Sequence, residues 1–468
     1  MKKKKIMLAA ASLLAGVGVV SLASCGNESD PAHTIKFYHT MGDNLQKVLQ
    51  TAITDFEAKF PGWKIDSSAI GGYDDVKEAI IGDLQAGLQP DLAYCYADHV
   101  ALYMESGKVV NMQEYFDSQE PLVVNVKSDS GAYEDKTLEE IVGYTAKDKA
   151  DFVDGYLNEG YATNYADYTA FGFDKEALLT MPFVKSTEVL YYNADALEAC
   201  NLTVPETWEE LWAACSALKA VNTTSTPLGY DSEANWFITM CQQKGWGYTS
   251  TEAGNHYLFD NDATVGWLQE LRNYYVDGLF TTQNVYGSYT SNLFTKGAAT
   301  GSVFSIGSSG GASHQATDKF PWGVAPIPGT RLDNGTIDRS VISQGPSLVM
   351  LETTADNAEQ KKLMTWEFVK MLEDPVFQCK FAMESGYNPA RKSSFDVPEY
   401  VEFLDDETSI VAQTALVGKE QMNNYYTSPA FKGSAAARTQ VGLALQKAVT
   451  GRATPKQALD EALKACGK

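Results

Sequence analysis

The chain has few basic residues: 37 Lys+Arg stand against 60 Asp+Glu in 468 residues, a formal net charge of −23. Neutralising phosphates takes a concentrated basic surface, so the balance argues against a nucleic-acid partner. Histidine and cysteine are scarce as well. His33, His39, His99, His256 and His314 are scattered, and the seven cysteines show neither a CxxC pair nor a Cys/His spacing suited to zinc or redox chemistry. No Gly-Lys-Ser/Thr phosphate loop, dinucleotide fingerprint or HExxH helix occurs. Internal repeats, which an adhesin or structural surface protein would show, are also missing. What remains is 44% hydrophobic and 11% aromatic, a globular composition with enough length for two or three domains.

The one basic block is Lys2-Lys3-Lys4-Lys5, directly before an apolar run from Ile6 to Leu22 and the tetrapeptide Leu22-Ala23-Ser24-Cys25. A positive lead, a short apolar stretch and small residues at its end form an export signal. The run is short for a bilayer span, which needs roughly 20 residues. Leu-Ala-Ser-Cys resembles the lipobox of bacterial lipoproteins, which implies cleavage before Cys25 and a lipid on its sulfur; the alternative is an uncleaved anchor. Removing residues 1–24, with their four lysines and no acid, takes the net charge from −23 to −27. Residues 25–33 then form the lipidated cysteine and a flexible polar tether. The expected location is the outer face of the cell membrane. The other six cysteines read as lone thiols, with one disulfide possible.

Thr34–His39 has strand character, residues 44–60 carry Leu45, Val48, Leu49, Ala52, Ile53 and Phe56 at helical spacing, and Pro61-Gly62 ends that helix. A strand from Trp63, a helix over 74–86 and a strand over 91–96 follow. Alternating strands and helices imply βαβ units with a mostly parallel sheet.

Several segments, in order, resemble the extracellular solute-binding proteins of ABC importers, and the carbohydrate-binding branch in particular. They are Phe37-Tyr38-His39-Thr40-Met41-Gly42-Asp43, Phe56 to Pro61, Pro90-Asp91-Leu92, Met181 to Asn193, Pro205-Glu206-Thr207-Trp208-Glu209-Glu210-Leu211, Gly323 to Gly329, and Gly386-Tyr387-Asn388-Pro389-Ala390-Arg391. The resemblance implies an α/β, two-lobed periplasmic-binding-protein-like (type II) fold with an interlobe ligand cleft. It implies an N-terminal lobe from 34–185 plus 327–375 and a C-terminal lobe from 186–326 plus 376–468. Crossings between lobes are expected near Phe183 to Val189, near Ala325 to Gly329, and within 370–382. It also implies a monomeric receptor that needs no cofactor, hands its ligand to ABC permease subunits and catalyses nothing.

Sugars present hydroxyls and apolar C–H faces, so their sites combine planar polar groups with aromatic rings. Loops beyond strand ends supply candidates in the first lobe: His39, Asp43 (a helix cap or a contact), Tyr73, Tyr96 and Asp98. Ser186 is polar in an apolar crossover. Trp236 and the glycine-flanked Trp246 read as stacking platforms. A strand over 299–304 is expected to feed the small-residue turn Ser305 to Ala312, whose free N–H groups and hydroxyls point to Ser308 and Ser309. Gly345, Tyr387 and Arg391 complete the set by resemblance. In the glycerol-phosphate-binding relatives a Lys-Gly-x-Arg loop supplies a phosphate-binding arginine; here the stretch reads Lys432-Gly433-Ser434-Ala435, and Arg391 or Arg438 are the possible substitutes. A neutral sugar or oligosaccharide is the simpler expectation, glycerol phosphate the alternative. A secreted glycosidase, whose paired carboxylates carry no local motif, is a third reading. Residues 117–180 exceed what a first lobe needs; the tract Asp148 to Gly155 offers carboxylates for a cation or a solvated helix face.

Overall fold

A computed structural model describes residues 30–468; the lysine-rich lead and Cys25 lie outside the described residues. In the strand Thr34–His39, Ile35, Phe37 and His39 are buried in alternation with more exposed neighbours, as a pleated strand requires. The helix Asp43–Lys59 follows and buries Leu49, Ala52, Ile53 and Phe56, one stripe of a 3.6-residue repeat. These elements belong to a five-stranded sheet in the order Lys64–Ala69, Thr34–His39, Leu92–Cys95, Ser347–Met350, Met181–Pro182. Its first three strands are parallel and Ser347–Met350 is antiparallel to them, with Leu348 opposite Tyr94.

A second five-stranded sheet runs in the order Phe280–Thr282, Leu228–Tyr230, Phe304–Ser308, Glu188–Asn193, Trp322–Pro326. Glu188–Asn193 is antiparallel to both its neighbours. The helix Trp208–Val221 opens on Thr207, whose hydroxyl accepts from the Glu210 N–H at 3.3 Å. The Glu210 carboxylate accepts from the Glu206 N–H at 2.9 Å, one residue earlier than a regular capping box has it. The buried strand falls at Phe304–Ser308, later than the 299–304 expected; every side chain but the last is buried there, so it carries no alternation from which to read its register. The six cysteines of the described residues are free.

Each sheet has its own core, one around Phe37, Tyr94, Phe183 and Trp366, the other around Leu190, Tyr230, Trp236 and Phe304. Two lobes follow, joined where the chain crosses at 183–187. The return crossing is later than the sequence suggested. Ile327, Val341 and Ile342 belong to the second core, the Thr330–Arg331 and Ile337–Asp338 hairpin stays with that lobe, and only Ser347–Met350 enters the first sheet. The chain therefore returns through Ser343 to Pro346, beside the outgoing strand: Ser186 N–H donates to Gln344 O at 3.0 Å and Gln344 N–H to Ser186 O at 2.9 Å. Asn388–Pro389 pairs with Val184–Lys185 from the other side. Gly345 has φ +87, and a Cβ there would lie 2.7 Å from Val184 O and 2.8 Å from Ser186 N, so the two crossings touch backbone to backbone only because it is glycine.

The long 117–180 segment divides in two. Its first half forms the hairpin Pro121–Lys127 and Tyr133–Ile141, held to the back of the first lobe by Trp63 Nε1–H to Asn125 O at 2.7 Å and Trp366 Nε1–H to Val142 O at 2.8 Å. The Asp148 to Gly155 carboxylates face cations of the chain itself: Asp151 accepts from Arg391 Nε at 2.8 Å, and Asp154 from Lys392 at 3.4 Å. The second half packs on the first sheet with Ala93, Cys95 and Val349, where Ala166 N–H donates to Ala430 O at 2.7 Å.

Two predictions follow from this packing. Trp236 is fully buried, so Trp236→Ala should lower unfolding free energy by about 3–5 kcal/mol in urea titration. Glu373 is also fully buried, with one carboxylate oxygen accepting from Tyr144 OH at 2.6 Å and the other unpartnered. Burial pushes its carboxyl up to about 8 against hydrogen bonding from Tyr144 and the nearby Arg391 charge. The folded state therefore holds a proton that the unfolded chain releases near 4.5, and stability should fall as pH rises from 5 to 8, by up to about 4 kcal/mol from this group. Glu373→Gln should flatten that decline; an unchanged pH profile would remove Glu373 as its source.

Candidate functional site

The first lobe brings two loops to the interlobe face, both beyond the C-terminal ends of parallel strands, where open α/β sheets bind ligands. Tyr73 follows the Gly71-Gly72 turn and Tyr96 follows Leu92–Cys95; their rings stack with centroids 4.2 Å apart. From the second lobe, Arg438 on the helix Ser434–Val449 holds its guanidinium carbon 5.6 Å from the Tyr96 centroid. At Gly310 a Cβ would lie 2.7 Å from Tyr387 Cζ, so the turn of one lobe rests on a ring of the other. The space between is a cavity of about 50 Å³ lined among others by Tyr96, Asp98, Glu159, Lys185, Tyr248 and Arg438. That is far below the roughly 300–1,000 Å³ of small-molecule sites, so this arrangement of the lobes leaves no room for a solute.

The polar groups here fall into two sets. Lys185 is paired: its ammonium lies 2.6 Å from Glu159 Oε2 and 2.9 Å from Ser347 Oγ, and Ser343 Oγ donates to the other Glu159 oxygen. Arg438 is not. Among the described residues no carboxylate lies within ion-pair distance of it; Nη2 donates to Asn235 Oδ1. Asn235 in turn donates to Glu188 Oε1 at 3.1 Å, and Tyr230 OH donates to the other oxygen. Burial pushes the Glu188 carboxyl up to about 7, against the pull of those two donors. Asp98, Tyr248 and Ser428 line the cavity, and Asp98 Oδ1, Tyr248 OH and Ser428 Oγ are buried without a hydrogen-bond partner, His99 Nε2 standing 3.8 Å from Asp98 Oδ1. Each unpaired buried polar atom costs about 1–3 kcal/mol, and a solute that both donates and accepts would satisfy them.

Of the residues singled out from the sequence, Tyr96, Asp98 and Gly345 line this cavity, Tyr73 stacks on Tyr96, and Tyr387 meets the turn at Gly310. Others stand elsewhere. His39 is buried, accepts from Met41 N–H at 3.1 Å and is held neutral, burial lowering it to about 4. Asp43 is exposed at the first position of its helix. Ser186 is buried in the backbone ladder between the crossings. Ser309 is buried with its hydroxyl engaged by the Thr187 N–H at 3.2 Å, and Ser308 caps the next turn by accepting from Gly310 N–H at 3.2 Å. Arg391 points away, its guanidinium over Phe152 at 4.5 Å and tied to Asp151. Trp236 is a correction: a ring with no exposed surface, stacked on Tyr230 at 4.5 Å, cannot stack on a solute. Trp246 is half-buried against the second core and lines a different pocket.

Sequence reasoning missed Glu159, which the long insertion delivers, along with Lys185, Tyr248 and Ser428. No local signal marks these four, since the fold alone brings them together. Arg438, one of the two substitutes that the sequence offers for the relatives' arginine, stands three residues past Ala435, one helical turn on and on the same face.

Comparison with known proteins fits this geometry. The family model described as bacterial extracellular solute-binding protein matches residues 51–405. The sn-glycerol-3-phosphate-binding periplasmic protein UgpB of Yersinia pseudotuberculosis is 24% identical over 446 residues, covering 92% of this chain and 90% of that protein. The structure of UgpB from Mycobacterium tuberculosis in complex with glycerophosphocholine superimposes with TM-score 0.69 at 17% identity, over 93% of this chain and 97% of the other. The sugar-binding protein MalE from Xanthomonas citri does so with TM-score 0.68 at 18% identity, over 93% and 96%. Two sheets in two lobes are thus the shared fold, and this chain belongs to the bacterial extracellular solute-binding proteins of ABC importers.

Proposed function

We propose that this chain captures a sugar or short oligosaccharide between its lobes outside the cytoplasm and presents it to ABC permease subunits, as a monomer tethered through lipid on Cys25. The observation that carries the solute class is the cavity wall. Tyr96, backed by the stacked Tyr73, meets Arg438 of the second lobe, while Asp98, Tyr248 and Ser428 hold buried polar atoms without hydrogen-bond partners. Rings take the C–H face of a sugar and the unpaired atoms take its hydroxyls. Closure over the solute then shifts the receptor towards the form a permease recognises. No group here is arranged as an acid–base pair around a bond to be broken, and the named relatives are binding proteins.

Arg438 favours a second reading. A guanidinium in the cleft with no carboxylate beside it suits a phosphoester, which supports glycerol phosphate or a glycerophosphodiester as the solute.

A thermal-shift screen of the mature protein against neutral sugars, oligosaccharides and glycerol phosphates decides. A ligand at a hundred times its Kd should stabilise by about 2.7 kcal/mol. Arg438→Gln should weaken a phosphoester roughly 10- to 100-fold but leave a neutral sugar within a few-fold. No shift with any of these solutes would overturn both readings. Closure has its own test: Gly310→Val drives a side chain into Tyr387, so small-angle scattering should show a larger radius of gyration and calorimetry a weaker solute affinity than in the parent protein.

A further inference from the structure

The tryptophans expected in the cleft stand together elsewhere. Three helices of the second lobe, Trp208–Val221, Glu233–Lys244 and Asp262–Val276, enclose a pocket of about 380 Å³ that shares no lining residue with the interlobe cavity. On the middle helix, Trp236 and Lys244 lie eight residues apart, on one face. The first helix contributes Glu209 and Trp212, the third Trp267, Glu270 and Tyr274, and Trp246 closes one end. Trp212 and Tyr274 stack at 4.3 Å with 23° between planes, and the Trp246 and Trp267 centroids are 6.1 Å apart.

We infer that this pocket is a second binding site, separate from the cleft, for a neutral mono- or disaccharide unit. Three observations converge. Its volume falls in the range of small-molecule sites, roughly 300–1,000 Å³. The rim carries both signs, with Lys244 Nζ 3.5 Å from Glu209 Oε1 and Glu270 accepting from Tyr274 OH at 2.8 Å; such a rim gives a polyol donors and acceptors, whereas an organic cation would meet Lys244 and an anion two carboxylates. And Trp246, half-buried at one end of the pocket, keeps ring surface on which the C–H face of a sugar can stack.

The test uses the whole mature protein carrying Tyr96→Ala and Arg438→Gln, which disable the cleft, titrated with maltose, cellobiose and glucose and followed by tryptophan fluorescence and saturation-transfer NMR. The expected result is residual binding of at least one sugar with a change in tryptophan emission. Adding Trp246→Ala, or Glu270→Gln where the alanine variant does not fold, should weaken it about tenfold. Absence of residual binding, or residual binding that neither added substitution alters, overturns the second site. Because cleft binding is measured on the parent chain, that result leaves the cleft assignment to stand or fall separately.

Discussion

The Lys185 ammonium holds the junction of the two lobes. It comes from the outgoing crossover, lies 2.6 Å from Glu159 of the insertion and 2.9 Å from Ser347 of the returning strand, and has only 2% of its side chain exposed. An ammonium that far from water is tolerable only when a carboxylate and further oxygens surround it. Removing Glu159 would leave a buried charge unpaired, and with it would go the tie that keeps insertion, crossover and return strand at one point. Gly345 and the Ser186–Gln344 ladder are placed by the same junction. So are the loops carrying Tyr96 and Arg438, whose approach depends on how the lobes are hinged.

How much of this could be read from the chain varies with the kind of signal. The first βαβ elements were legible because Ile35, Phe37, Leu49, Ile53 and Phe56 repeat with the period of their secondary structure. The outgoing crossover was legible by resemblance. The return was placed some fifteen residues early, because the apolar strand Trp322–Pro326 looks like an exit from the lobe and nothing local says that the hairpin and Val341-Ile342 stay behind. Trp246 misled for a different reason. Flanking glycines do free a ring from the deepest core, but they do not say which surface it turns to. Polar residues such as Ser309 and His39 sat at plausible loop positions, yet the hinge and the turns use their hydrogen-bonding groups internally.

The closed arrangement bears on energetics. With the turn at Gly310 against Tyr387 and Arg438 over Tyr96, the lobes already make favourable contacts across the cleft. A solute must exchange these for its own, so measured affinity is the difference between two sets of contacts rather than the sum of one. The unpartnered Asp98, Tyr248 and Ser428 atoms make the lobe–lobe set the poorer of the two. That imbalance is what allows a small polar solute to compete for the walls.

The late return strand has a consequence for the order in which the molecule can be assembled. Ser347–Met350 lies between Leu92–Cys95 and the edge strand Met181–Pro182 of the first sheet, and Ser347 O accepts from Cys95 Sγ, 252 residues earlier in the chain. The first lobe therefore cannot complete its sheet until the whole of the strand set from Glu188 to Pro326 has emerged, while that second set closes on itself with far shorter loops. Closing so long a loop is entropically costly and slows folding. The N-terminal half must wait as an incomplete sheet with the Leu92–Cys95 edge unpaired, and the lobe that begins second is the one able to finish its sheet first.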